Sequence, residues 1–272
     1  MGSYISYFFG QFNKTDKKEN SIDQIKDIFK QYGGGSIDLT LGNDGIGILV
    51  INNPEKRNAM SGKMMAQLCD AVTVLEKWKD GRGLLIHGAG LGFCSGGDLD
   101  FIRSSTNQTL GSNMSLILTD ALNRLKALPI VSLAYVHGFG AIGGGSEIAM
   151  AADLRIMSPG SRIGFVHGKM GLTPAWGGAG RLIEAVGREQ ALELLLSGRL
   201  VSSEDARDIG LAQKCGDLNC AESYLRSLCV FAPQIIGAIK SALVGDEGKV
   251  FVSLFGGVEN QKALAAKIKH KD

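Results

Sequence analysis

Apolar residues alternate along this chain between short continuous runs and stripes at helical spacing. Ile46–Ile51, Gly83–His87 and Ile130–Val136 are predominantly apolar runs of the length of buried strands, and Leu154–Met157 and Arg162–Phe165 read as shorter strands. Between them, Met64, Leu68, Ala71, Val72 and Leu75 recur at helical spacing, and a further helix reaches Leu128-Pro129. Helices follow at Arg181–Val186 and Glu189–Leu196, and another begins at Ser202-Ser203 with Asp205 in its first turn and ends near Gly210. This alternation predicts an α/β fold. No repeat of fixed period is visible, although strand, glycine loop and helix recur as a loose unit.

The two ends read differently. Ile22, Ile25, Ile28 and Phe29 predict a small appended helix over Ser21–Tyr32, stopped by Gly33–Gly35. Beyond Asp217, Ile235–Val244 and Asn260–Ile268 read as helices, with Gly245-Asp246-Glu247-Gly248 and an unassigned apolar stretch Val250–Phe255 between them. The expected organisation is an N-terminal extension at 1–35, a core at 36–217 and a helical region at 218–272.

Candidate chemistry centres on Val131–Met150, where the apolar run opens into glycines and then into a helix pattern. Gly143, Gly144 and Gly145 fall at or near the first helical positions, where amide N–H groups have no intrahelical partner and the helix dipole favours negative charge. A flat group such as a thioester carbonyl can lie directly on such amides, so the turn reads as half of an oxyanion hole. Gly138-x-Gly140-x-x-Gly143 also matches a dinucleotide-binding fingerprint, but that fingerprint needs an acid about 20 residues on. Between Leu154 and Ile183 there is neither Asp nor Glu.

Composition excludes other classes. A formal charge of +2 with Lys and Arg dispersed offers no basic tract for nucleic acid or a membrane surface. No run approaches the ~18 apolar residues of a membrane-spanning helix. Tyr4–Phe9 is too short for a signal core and is followed by acids. Five cysteines with no C-x-x-C pair fit reduced thiols in the cytosol and argue against a zinc site or a disulfide framework. No metal, flavin or nicotinamide is expected.

Four blocks carry a family resemblance: Asn53-Pro54 to Asn58-Ala59-Met60, Gly92–Leu99, His137–Glu147 and Gly171–Gly178. Over about Ser36 to Asp217 the chain resembles the crotonase, or enoyl-CoA hydratase/isomerase, superfamily. The resemblance implies a spiral of strand-strand-helix turns and an acyl-CoA thioester as substrate, with CoA a part of that substrate. It further implies a homotrimer or hexamer built through C-terminal helices, of which this chain reads as one short. Two backbone amides would hold the thioester oxygen, and by the same resemblance they fall on Ser95 and Gly144. Backbone near Ala59, Gly97, Asp98 and Leu99 would receive CoA, with Lys56 or Arg57 near a phosphate. Glu147 stands where a hydratase carries one catalytic acid, and His167 where it carries the second.

Water addition needs two positioned acid/base groups, and here one of the carboxylates is a histidine. A malonyl-type thioester needs no base to start, because loss of its own carboxylate generates the enolate that the amides hold. The expected reaction is therefore decarboxylation of a short branched malonyl-type thioester such as ethylmalonyl- or methylmalonyl-CoA. Phe165, Val166 and Trp176 would desolvate the carboxylate, and either Glu147 or His167 would protonate carbon. An enoyl-CoA hydratase or isomerase and a non-catalytic acyl-CoA binder are the alternatives. His87 and His137, at strand ends, read as structural.

Overall fold

A computed structural model describes residues 20–104 and 106–266; the Tyr4–Phe9 patch lies outside them. A hairpin opens the fold. Strand β1 (Ser36–Leu41) runs antiparallel to β2 (Ile46–Asn52), with Ser36 opposite Asn52 and Leu41 opposite Gly47. From β2 onward the sheet is parallel, adding β3 (Gly83–Gly88), β4 (Val131–Val136), β6 (Leu154–Met157) and β9 (Lys214–Cys215) in that order. Parallel neighbours require crossovers. These are supplied by helices α2 (Gly62–Glu76), α3 (Leu99–Ser104), α4 (Gln108–Ala127) and α5 (Gly144–Ala151).

The central strands are apolar on both faces because both are covered. Leu84 and Ile86 of β3 point into the main core with α2 and α4, whereas Leu85 between them joins Leu133, Tyr135 and Ile156 against Ala221 and Leu225. Successive residues of a strand face opposite ways, so one apolar run serves two cores. Ala221 and Leu225 belong to α9 (Leu218–Leu228).

A smaller sheet runs beside the first: β5 (Ala141–Ile142) pairs parallel with β7 (Arg162–Gly164), which pairs antiparallel with β8 (Leu200–Ser202). Single-residue bridges Met60–Gly97 and Cys94–Ala141 continue that layer toward the N-terminus. Each turn of the chain thus contributes to both layers before a helix closes it, which is the expected strand-strand-helix spiral. Helices α6 (Gly178–Val186), α7 (Arg188–Ser197) and α8 (Ser203–Asp208) complete the last turn.

Two ends differ from the sequence reading. Helix α1 (Ile22–Phe29) is integrated into the main core through fully buried Ile25 and Phe29. Past α10 (Pro233–Ala242), the apolar stretch left unassigned is helical: α11 (Glu247–Leu254) starts at Asp246, whose side chain accepts from Lys249 N, and α12 (Val258–Ala265) follows. The helix expected to be missing is therefore present. Its start was hidden because the Gly-Asp-Glu-Gly cluster looks like a breaker, while Asp246 acts as an N-cap.

The spiral depends on backbone approaches that only glycine allows. A Cβ on Gly145 would lie 2.1 Å from the Cys94 carbonyl oxygen, which is itself fixed by accepting from Ile142 N. Backbone on both sides cannot yield, so Gly145→Ala is expected to lose roughly 1–3 kcal/mol or more in urea unfolding. A melt unchanged from the parent would contradict this packing.

Candidate active site

The first wall of the site is the loop after β3. Asn58, fully buried and at φ 54°, donates from Nδ2 to the Ala89 and Gly92 carbonyls (both 2.8 Å), while its Oδ1 accepts from Asn53 N (2.8 Å). Asn tolerates the left-handed conformation that other side chains avoid. Asn53 returns the contact through Nδ2 to the Ala59 carbonyl (2.9 Å). This pair pins the 53–60 segment to the glycine loop. Its role was not assigned from sequence, although both asparagines stand in a motif block.

Within that loop the structure corrects one expectation. Ser95 N donates to the Arg57 carbonyl (3.1 Å) and Ser95 Oγ to the Lys56 carbonyl (3.4 Å), so neither is available to a ligand. Gly96, at φ 103°, reorients the chain, and the Met60–Gly97 bridge then takes Gly96 O and Asp98 N. What is left is the amide of Gly97, on the cavity wall, with no acceptor among the described residues. The amide facing the site is therefore two residues from the expected one.

The second wall is the start of α5. Gly143 is at φ 57° and its N–H donates to the Gly164 carbonyl (2.8 Å), which leaves Gly144 as the first helical amide with no acceptor among the described residues. A Cβ on Gly96 would sit 3.2 Å from Gly144 N, so the two walls are in contact. Two N–H donors on adjoining walls of one cavity can receive a single oxygen that gains charge. Cys94 beneath them is fully buried, and burial pushes its thiol up to about 12. It stays protonated and does not compete as a nucleophile for a thioester.

Glu147, one turn into α5, has a side chain only 1% exposed. Its Oε2 accepts from Trp176 N and Gly178 N (both 2.8 Å), and its Oε1 from Ala175 N (3.4 Å) and His167 Nε2 (3.0 Å). A carboxylate has about four acceptor positions, and all of them are occupied. His167 comes from the 3-10 turn Val166–Met170, and its Nδ1 is buried without a partner. With Nε2 donating to a carboxylate, Nδ1 is the ring atom left for chemistry.

The segment carrying those N–H groups is held from its other side too. Ser115 Oγ and Thr119 Oγ1 donate to the Ala175 carbonyl (2.8 and 3.1 Å). Arg181 donates to the Trp176 carbonyl (2.8 Å) and to Asn123 Oδ1 (2.7 Å). Burial pulls the Arg181 guanidinium below its usual pKa, with Glu147 opposing the shift. None of these three was singled out from sequence, because each acts on backbone 56 to 60 residues away or, for Arg181, on a neighbour in a loop.

The cavity between the walls has a volume of about 720 Å³ and brings together Ser95, Gly97, Gly144, Glu147, His167 and Trp176, with Lys56, Ala59, Asp98 and Leu99 also on its surface. Val166 lines it, whereas Phe165 lies in the core, 1% exposed. Arg57 lies off the cavity, its guanidinium 6.0 Å from the centre of the Phe139 ring. Lys56 Nζ is bracketed by Asp98 and Asp100 (both 2.9 Å), which raise its pKa, Asp100 most. Its charge is thus already paired with two carboxylates. His87 and His137 both donate to the Gly88 carbonyl (2.9 and 3.1 Å) outside the cavity. No group of three or more potential metal ligands occurs among the described residues.

A spiral core with two free amides converging on a cavity defines an acyl-thioester enzyme class, and the chain belongs to the enoyl-CoA hydratase/isomerase family, which residues 42–242 match. It is 40% identical over 263 residues to an ethylmalonyl-CoA decarboxylase of Gallus gallus, covering 90% of this chain and 88% of that protein. With the ethylmalonyl-CoA decarboxylase of Mus musculus it shares 39% over 266 residues, 91% of this chain and 82% of that one. Among solved structures, the enoyl-CoA hydratase of Thermoplasma volcanium GSS1 superposes with a TM-score of 0.77 at 26% identity, covering 86% of this chain and 97% of that one. An enoyl-CoA hydratase from Bacillus anthracis, at 21% identity and a TM-score of 0.78, covers 85% of this chain and 95% of its own and shares the fold.

Proposed function

We propose that this protein decarboxylates a short branched malonyl-type CoA thioester, ethylmalonyl-CoA or methylmalonyl-CoA, through an enolate held by the amides of Gly97 and Gly144. The relatives named ethylmalonyl-CoA decarboxylase support the substrate. One observation carries the mechanism: all acceptor positions of Glu147 are taken, while Nδ1 of its partner His167 is unpartnered. A carboxylate so engaged has no oxygen left to activate water, which removes one of the two groups that hydration requires.

In the proposed reaction the thioester oxygen accepts from both amides. The bond between the α-carbon and the carboxylate breaks, carbon dioxide leaves, and the electron pair passes through the enolate onto that oxygen. His167, protonated at both nitrogens, keeps Nε2–H on Glu147 and gives its Nδ1 proton to the α-carbon. Glu147 is thus a positioning residue and His167 the acid. Trp176, whose ring would lie 2.2 Å from a Cβ on Gly144, walls the oxyanion position from water.

The reading includes no metal or redox cofactor. It also places the protein in the cytosol, supported by five free thiols, and no helix among the described residues is long and apolar enough to cross a membrane. Phe251 and Val252 on α11, Phe255 just past its end, and Val258 and Leu264 on α12 are 62–72% exposed, which supports further copies of this chain covering them in a homotrimer or hexamer. Incubating protein dialysed exhaustively against EDTA with ethylmalonyl-CoA and crotonyl-CoA in parallel, read by mass, tests the reaction and its independence of metal. Butyryl-CoA should form and crotonyl-CoA should persist. Hydration of crotonyl-CoA with ethylmalonyl-CoA untouched would overturn it.

A further inference from the structure

Most glycines on the cavity wall have a reason in the backbone or its packing. Gly96 and Gly143 are at φ 103° and 57°; a Cβ on Gly97 would meet Ile102 Cδ1 at 2.9 Å, and one on Gly144 the Trp176 ring at 2.2 Å. Gly111 has neither. It is the fourth residue of α4, in ordinary helical conformation, and a Cβ built there finds nothing within 4 Å. Glycine at a helical position is less stable than alanine, so nothing local favours it here.

What Gly111 leaves open is cavity. Leu110, Gly111 and Met114 share the face of α4 that lines it, at the spacing of one helical stripe. Ile102 Cδ1 and Met114 Cε are the side-chain atoms nearest the position of a Gly97 Cβ, at 2.9 and 3.8 Å. The apolar wall therefore begins beside one of the two free amides and runs to the Gly111 gap. The α-carbon of a thioester lies two bonds from its oxygen, so an oxygen on Gly97 and Gly144 would keep that carbon close to the start of this wall. His167 and Trp176 occupy the Glu147 side, which leaves the apolar side for whatever else the α-carbon carries.

Resting on the decarboxylase reading, we propose that Gly111, with Ile102, Leu110 and Met114, forms a subsite for the alkyl arm on the α-carbon, and that the protein takes α-alkylmalonyl thioesters with arms longer than ethyl. A side chain at position 111 would shorten the subsite. Each methylene excluded from an apolar site is worth about fourfold in kcat/KM.

The test compares methylmalonyl-, ethylmalonyl- and n-butylmalonyl-CoA on the parent protein and on Gly111→Leu. The parent should process the butyl substrate with kcat/KM at or above that for ethyl. Gly111→Leu should lower the butyl-to-methyl ratio of kcat/KM at least about tenfold, the effect of two or more methylenes. Gly111→Ala is the folding control, with a melting temperature raised by about 2–4 °C. An unchanged ratio, or a lowered melting temperature for Gly111→Ala, overturns the subsite. If the parent releases carbon dioxide from none of the three, the decarboxylase reading fails by itself. Calorimetry with propionyl-CoA and hexanoyl-CoA, which carry the methyl and butyl arms, then decides the subsite: Gly111→Leu must weaken hexanoyl-CoA selectively, and equal losses overturn it.

Discussion

His167→Ala is expected to lower kcat for ethylmalonyl-CoA decarboxylation by about a hundred- to ten-thousandfold, the range that a positioned general acid contributes. The His167 ring keeps Nε2 on Glu147 at 3.0 Å, and its Nδ1 has no partner among the described residues. Removing it leaves the Gly97 and Gly144 amides in place, because those are fixed by the Met60–Gly97 bridge and by Gly143 N on the Gly164 carbonyl. Binding of butyryl-CoA, read by calorimetry, should therefore weaken by less than about tenfold, a change small beside the loss in turnover. His167→Gln should behave as the alanine variant does, since an amide donates a hydrogen bond but supplies no proton. Retention of more than a tenth of the parent rate by both variants would assign the proton to another source.

Glu147→Ala should be the most destabilising single change in the site, by roughly 3–5 kcal/mol, as for removal of one partner from a buried charged network. The carboxylate is all but fully buried, and its loss leaves Trp176 N and Gly178 N without their acceptor. Each buried donor left unsatisfied costs about 1–3 kcal/mol. His167 also loses the contact that holds its Nε2 and so fixes the ring's orientation, so turnover should fall together with stability. Glu147→Gln separates shape from charge. Its amide keeps the volume but turns an N–H toward one of the donors, and it should lose less stability than alanine while still losing most of the turnover. Urea unfolding of the three proteins measures this, and a loss below about 1 kcal/mol for Glu147→Ala would mean that the carboxylate is not what holds the 175–178 segment.

These two side chains show how far the sequence reached. Local periodicity determined most of the elements: the runs at Ile46–Ile51, Gly83–His87 and Ile130–Val136 became β2, β3 and β4, and the stripe from Met64 to Leu75 became α2. A strand must bury its apolar face and a helix its stripe wherever they end up, so these patterns are written within a dozen residues. The glycine turn at Gly143–Gly145 was legible for the same reason, since an unpaired first-turn amide follows from the helix start itself.

Tertiary structure decided what each group of the site faces. Ser95 and Gly97 are equally plausible as donors on paper. The Arg57 carbonyl, 38 positions earlier in the chain, occupies the first, and the Met60 bridge leaves the second open. Lys56 reads as a phosphate ligand until Asp98 and Asp100 are found at 2.9 Å. Glu147 reads as an acid until N–H groups 28 to 31 residues further on are found on its oxygens. Element type follows from a local repeat, whereas the partner of a hydrogen-bonding group is set by which distant segment the fold brings to it, and no local pattern encodes that choice.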